Sequence, residues 1–142
     1  MKDYDIRECS NEEADFVIDK LVEYNLSKVA STQEIDFLNI DRVVEDVKGN
    51  IIAGILAKMY CWNCLYIDVL WVEEGYRKDG LGSKLLKEIE NIAIEKVCHL
   101  IHLDTFDFQA KDFYIKHGYE VFGVLDECPK KHKRYYLKKL IK

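Results

Sequence analysis

The stretch "GYRKDGLGSKLL", residues 75–86, carries glycines at positions 75, 80 and 82 and then passes at once into helix formers. Glycine has no Cβ, so a ligand can approach the backbone closely there. A helix N-terminus beyond it offers free N–H groups and the positive end of a dipole, which favour an anion such as a phosphate. Two phosphate-binding grammars fail at a residue that their chemistry needs. Gly75-x-x-x-x-Gly80 opens like a Walker A loop, but Leu81 and Gly82 stand where Lys and Ser/Thr should follow. Gly80-x-Gly82 opens like a dinucleotide fingerprint, but Leu85 occupies the third glycine position. What remains is Arg77-x-x-Gly80-x-Gly82 after a hydrophobic strand ending in Val72.

Other reactive side chains are scattered. Cys61 and Cys64 form a C-x-x-C, but their flanks read as strands rather than a helix start. No second close Cys/His pair completes a four-ligand zinc site, so ordinary reduced thiols near a turn are expected, with no metal. Asp68 lies inside the apolar run "YIDVLWV". By period two it shares a face with Leu70 and Val72, and an acid placed so needs a partner or a task. Glu73 and Glu74 read as solvated loop acids. His102 and Asp104 share one face of a later strand, and strand histidines such as His99 and His102 read first as structural residues.

These residues need elements to hold them. "YDIREC" alternates and reads as a first strand. Ser10 and Glu13 form a capping box for a helix with apolar residues at Ala14, Val17, Leu21 and Tyr24. "FLNIDRVVEDV" and "IIAGILAKMY" form a hairpin around "KGN", "CWNC" is a turn, and "LYIDVLWV" is a strand. The helix after the glycine loop carries Leu81, Leu85, Ile89 and Ala93 on one stripe, with Leu86 and Ile92 beside it. "CHLIHLDTF" is a strand. "DFQAKDFYIKHG" is a short helix with Asp107 as its cap and Gly118 just past its end. "YEVFGVL" and "KRYYLKKLI" are the last strands. The order β-α-β-β-β-α-β-α-β-β makes an α/β chain, a mixed sheet with helices packed on it.

At 142 residues the chain fits one domain, residues 1–142. Net charge is −5, yet residues 130–142 hold seven Lys/Arg and no acid. The acidic body argues against nucleic acid as a partner. The basic tail reads as a solvated last strand or an anion attractant. No apolar run approaches the roughly 18 residues of a membrane span, and "MKDYDIRECS" lacks the apolar core of a signal peptide. A cytoplasmic protein without a membrane partner is expected.

Arg77-x-x-Gly80-x-Gly82 resembles the acyl-CoA loop of the GNAT N-acetyltransferase superfamily, Q/R-x-x-G-x-G/A. "DFQAKDFYIKHGY" resembles that family's N-x-x-A-x-x-x-Y-x-x-x-G-F segment: Ala110, Tyr114 and Gly118 match, Tyr119 stands for Phe, and Asp107 replaces Asn. "LWVEEGYR" and "YEVFGVLDECPKKHKRYYLKK" resemble bacterial members without an assigned substrate. The resemblance implies the acyl-CoA N-acyltransferase fold, a central mixed sheet of about six or seven strands flanked by three or four helices.

It further implies direct acetyl transfer from acetyl-CoA, the cosubstrate, to a primary amine of a small molecule, with both bound together. A protein lysine or N-terminus is the alternative acceptor. A CoA-binding sensor that has lost the chemistry is the alternative of another class. By resemblance, Tyr114 is the general acid for the departing thiolate. The backbone of Leu70, Trp71 and Val72 meets pantetheine. Arg77, Lys78, Asp79, Gly80, Leu81, Gly82 and Ser83 surround the diphosphate, and Asp107 and Tyr114 complete the cofactor contacts. Many relatives dimerise through late strands, so a homodimer is an option. An acceptor amine like that of lysine lies about 3.4 units below its pKa at pH 7, a cost of about 4.6 kcal/mol, so a base is useful. Asp68 is the first candidate.

Overall fold

The computed structural model describes residues 2–141, and the chain divides into two compact units, one up to Ser31 and one from Thr32. The first holds helix α1 (Asn11–Lys28). Its N-terminus is the expected capping box: Ser10 Oγ accepts from the Glu13 N–H, and Glu13 accepts from the Ser10 N–H. Arg7 clamps the same carboxylate from outside and, with the Ser10 N–H, holds it down to about 2. Residues 2–10 are not a strand, contrary to the alternation of "YDIREC". Its residues are exposed, and Arg7 is spent on the cap rather than on a sheet face.

The second unit carries six strands, β1 (Phe37–Glu45), β2 (Ile51–Tyr60), β3 (Cys64–Val72), β4 (Leu100–Phe106), β5 (Glu120–Asp126) and β6 (Lys133–Leu140). Helices α2 (Leu81–Glu95) and α3 (Lys111–Lys116) interrupt them, and a short 3-10 turn covers Glu74–Tyr76. The spatial order is β1-β2-β3-β4-β6-β5. All neighbours are antiparallel except β3 and β4, which the α2 crossover makes parallel. This is a mixed α/β sheet of the kind that the sequence pattern predicts, with the terminal basic segment as an inner strand rather than a solvated edge.

One face of the sheet is the core. Ala53, Ile55, Leu65, Ile101 and Leu137 are wholly buried there, beneath Leu86, Ile89 and Ala93 of α2. The α2 stripe is as predicted, and the polar positions Lys84, Lys87, Glu88, Asn91 and Glu95 face outward. The exception on the buried side is Glu90, 7% exposed. Its carboxylate accepts from the Tyr119 hydroxyl and from Lys139 Nζ on β6, each at 2.9 Å. Lys139 Nζ also donates to the His117 carbonyl, which ties the end of α3 to the sheet. Burial, reinforced by the Glu90 charge and hydrogen bond, pushes the Tyr119 phenol far up, so it remains a donor.

Removing one partner of a buried pair leaves a desolvated charge, which costs more than the pair gains. Lys139→Met is therefore expected to lower unfolding free energy by roughly 3 kcal/mol. Urea unfolding read by circular dichroism checks this, and a change within error would show that Glu90 finds its solvation elsewhere.

Candidate active site

The parallel pair is incomplete. β3 and β4 are in register only from Cys64 opposite Leu100 to Ile67 opposite Leu103. β3 then runs on to Val72 along β2, while β4 runs on to Phe106 along β6. The two strands part, and the backbone of β3 beyond Ile67 has no ladder partner on that side. The wedge opens into a cleft of about 540 Å³, a size suited to a small ligand.

The parting coincides with a bulge. Ala57 pairs with Ile67 and Leu56 with Val69, so Asp68 is the extra residue of β3. The bulge breaks period two: Leu65 and Ile67 are core residues before it, and Leu70 and Val72 pack on the core after it. Asp68 therefore does not share a face with Leu70 and Val72. It is exposed, at the point where the strands separate.

The glycine loop closes one end of the cleft. Gly80 is the N-cap of α2 with φ +73°, a left-handed conformation that glycine adopts without strain, and no side chain caps the helix. The first turn thus keeps its N–H groups for an outside acceptor. A Cβ on Gly82 would stand 3.4 Å from the Phe113 ring and 3.8 Å from Val72, both cleft walls. Arg77 Nε donates to the Val72 carbonyl at 3.1 Å, which fastens the loop to the strand end. Ser83 is engaged by His117 Nε2 at 3.0 Å.

Tyr114 of α3 lies on the cleft, 5% exposed, edge-on to Phe113 and Tyr119. Burial pushes its phenol up to about 12. Its hydroxyl makes no hydrogen bond among the described residues, though no buried oxygen there is wholly cut off without one. A proton donor thus faces the cleft with its proton uncommitted.

Of the residues singled out from sequence, Asp68, Leu70, Trp71, Val72, Arg77, Gly80, Gly82, Ser83 and Tyr114 line the cleft together. Lys78, Asp79 and Leu81 do not. Leu81 packs on the core, and the exposed Asp79 only donates its N–H to the Tyr76 carbonyl. Asp107 corrects its expected role. The N-cap of α3 is Ala110, without a side-chain cap, and Asp107 is off the cleft. Its carboxylate instead accepts from the Lys133 N–H and meets His132 Nδ1, both at 2.8 Å. Burial opposes its charge, but these bonds outweigh burial and hold the group below the usual carboxylate range. Gln109 was not anticipated. Its carbonyl accepts from Thr105 Oγ1 and the Phe106 N–H, which leaves its amide N–H groups for the cleft.

A second cleft, about 410 Å³, lies among Phe37, Lys58, Tyr60, Tyr66, Asp68 and His102. Lys58, Tyr60, Tyr66 and His102 all alternate with core residues of their strands, so it opens on the sheet face opposite α2. Tyr60 Oη lies 2.7 Å from His102 Nε2, and the Tyr66 hydroxyl donates to Asp104, which Arg134 also holds at 2.5–2.9 Å. Burial lowers the His102 pKa against the pull of Asp104, so the ring is neutral at pH 7. Asp68 borders both clefts.

An uncapped helix N-terminus, an open strand edge and an uncommitted proton donor lie along one wedge, an arrangement that suits an extended ligand with a phosphate at one end. The acetyltransferase (GNAT) family model matches residues 8–119, and the chain belongs to that family, whose members are N-acetyltransferases. A crystal structure of an acetyltransferase from Bacillus cereus ATCC 14579 superposes with a TM-score of 0.89 at 40% identity, covering 97% of this chain and 98% of that one. Acetyltransferase Atu2258 of Agrobacterium fabrum is 31% identical over 85% of this chain and 84% of its own. A blasticidin-S acetyltransferase of Streptomyces morookaense is 35% identical over 58% of this chain, and the match spans 60% of that protein.

Valine at position 82 would press on Phe113 and narrow the cleft beside the helix N-terminus. Gly82→Val is expected to weaken CoA binding about tenfold or more, roughly 1.4 kcal/mol, by isothermal titration calorimetry. Undiminished affinity would remove the loop from the site.

Proposed function

We propose that the chain transfers acetyl from acetyl-CoA directly to a primary amine of a small molecule while both are bound. The observation that carries this reading is the wedge between β3 and β4, with a ligand cleft in it, a second cleft on the sheet face opposite α2, and Asp68 on both. The residues fit the donor. The α2 N–H groups and the open conformation at Gly80 suit a diphosphate, and the unpaired edge of Leu70, Trp71 and Val72 suits the amides of a pantetheine arm. Gln109 offers the cleft an amide donor where Asp107 offers none. Similarity to a blasticidin-S acetyltransferase supports a small-molecule acceptor.

Acetyl-CoA, when bound, supplies the activated thioester carbonyl. Asp68 takes a proton from the acceptor ammonium, directly or through water, and frees the nitrogen lone pair for attack. The new C–N bond forms as the C–S bond breaks, and the nitrogen gives up its second proton to water to leave the neutral amide. Tyr114 gives its proton to the departing sulfur and recovers one from solvent. Its raised pKa keeps that proton in place at any physiological pH.

Thiol release on mixing acetyl-CoA with an amine panel tests the reading, and tight CoA binding without turnover on any amine would sink it. Tyr114→Phe should lower kcat about 100-fold while acetyl-CoA affinity holds. Because burial keeps the phenol protonated up to about 12, the ratio of wild-type to variant kcat should stay flat from about pH 6 to 9. A ratio that collapses as pH rises would mean that another group donates.

A further inference from the structure

The second cleft has a charge pattern that the reaction alone does not require. Most ionisable side chains around it are satisfied internally. Tyr66 donates to Asp104, a residue of the first cleft that Arg134 neutralises, and His102 is neutral and shared with Tyr60. Two are not. Lys58 and Asp68 are exposed to the cleft, and neither has a hydrogen bond or ion pair among the described residues. They do not pair with each other either.

Their separation follows from the register. Lys58 is directly across from Tyr66, and Asp68 lies two residues farther along β3. That places the two Cα atoms about 5 Å apart across the ladder and, because Asp68 sits in the bulge between the positions opposite Ala57 and Leu56, between about 3.3 and 6.6 Å apart along it. Phe37, Tyr60, Tyr66 and His102 provide flat, mainly apolar walls around the two charges. A solute complementary to this surface carries one cation, one anion and a short apolar spacer.

Resting on the acetyltransferase reading above, we propose that the acceptor is a small ω-amino acid, its amine held at Asp68 and its carboxylate at Lys58. The polarity is fixed by position. Asp68 is the residue shared with the donor cleft, so the amine is the end delivered to the reacting carbonyl, and Lys58 anchors the opposite end. Lys58 acts as a specificity determinant, remote from the bond that forms.

The experiment compares kcat/KM for a series from glycine to aminocaproate with that for the corresponding uncharged amides. Wild-type protein should prefer the acid to its amide by about tenfold or more at the best spacer length, the worth of one charge-assisted contact. Lys58→Met should collapse that acid-to-amide ratio towards one. Lys58→Glu should turn the preference towards the matching diamine, a reversal that mere loss of packing would not give. Amides that match or exceed the acids in wild type, or a ratio that survives Lys58→Met, would overturn the assignment while leaving the acetyltransferase reading standing. Absence of turnover on every acid and amide, with other amines acetylated, would also overturn it.

Discussion

Everything at this site depends on β3 and β4 failing to stay paired. A parallel ladder that continued past Ile67 and Leu103 would satisfy the backbone of Val69 to Val72 and fill the space that now forms the cleft. The bulge at Asp68 turns β3 so that its side chains change faces, and the 3-10 turn and glycine loop then carry the chain away. Unpaired backbone at the sheet's centre is costly when dry. It persists here because the wedge is open to solvent and to a ligand that can take up those hydrogen bonds.

The walls of the wedge are rigid for separate reasons. On one side, α2 is sealed to the sheet by wholly buried aliphatic residues. On the other, the six residues of α3 are too few to be stable by helix propensity alone. That helix is held by aromatic packing of Tyr114 between Phe113 and Tyr119, and Tyr119 is fixed by Glu90 and Lys139. A buried ion pair is weak evidence for stability in general. In this position it sets the height of the tyrosine above the cleft.

Much of this was legible in the sequence. The stripe of α2, the glycine loop and the strands from residue 37 onward follow from periodicity and turn chemistry, and Tyr114 followed from resemblance. The failures have physical causes. Alternation in "YDIREC" cannot say whether a neighbouring strand exists to receive it. A period-two reading of β3 put Asp68 on the wrong face because a bulge leaves no mark on hydrophobic alternation. Asp107 fits a cap by type, yet His132 and the Lys133 N–H, a whole strand away, compete for it successfully. The grouping of Lys58, Tyr60, Tyr66 and His102 was invisible because only the β2-β3-β4 register brings them together.

The two clefts share a single side chain, Asp68. Changes at Phe37, Lys58, Tyr60 or His102 alter one surface and leave the other untouched, since none of these residues lines both. On a scaffold divided in this way, substitutions around the second cleft can accumulate while the wall made by the glycine loop and Tyr114 stays constant. The bulged residue between them is the position least free to change.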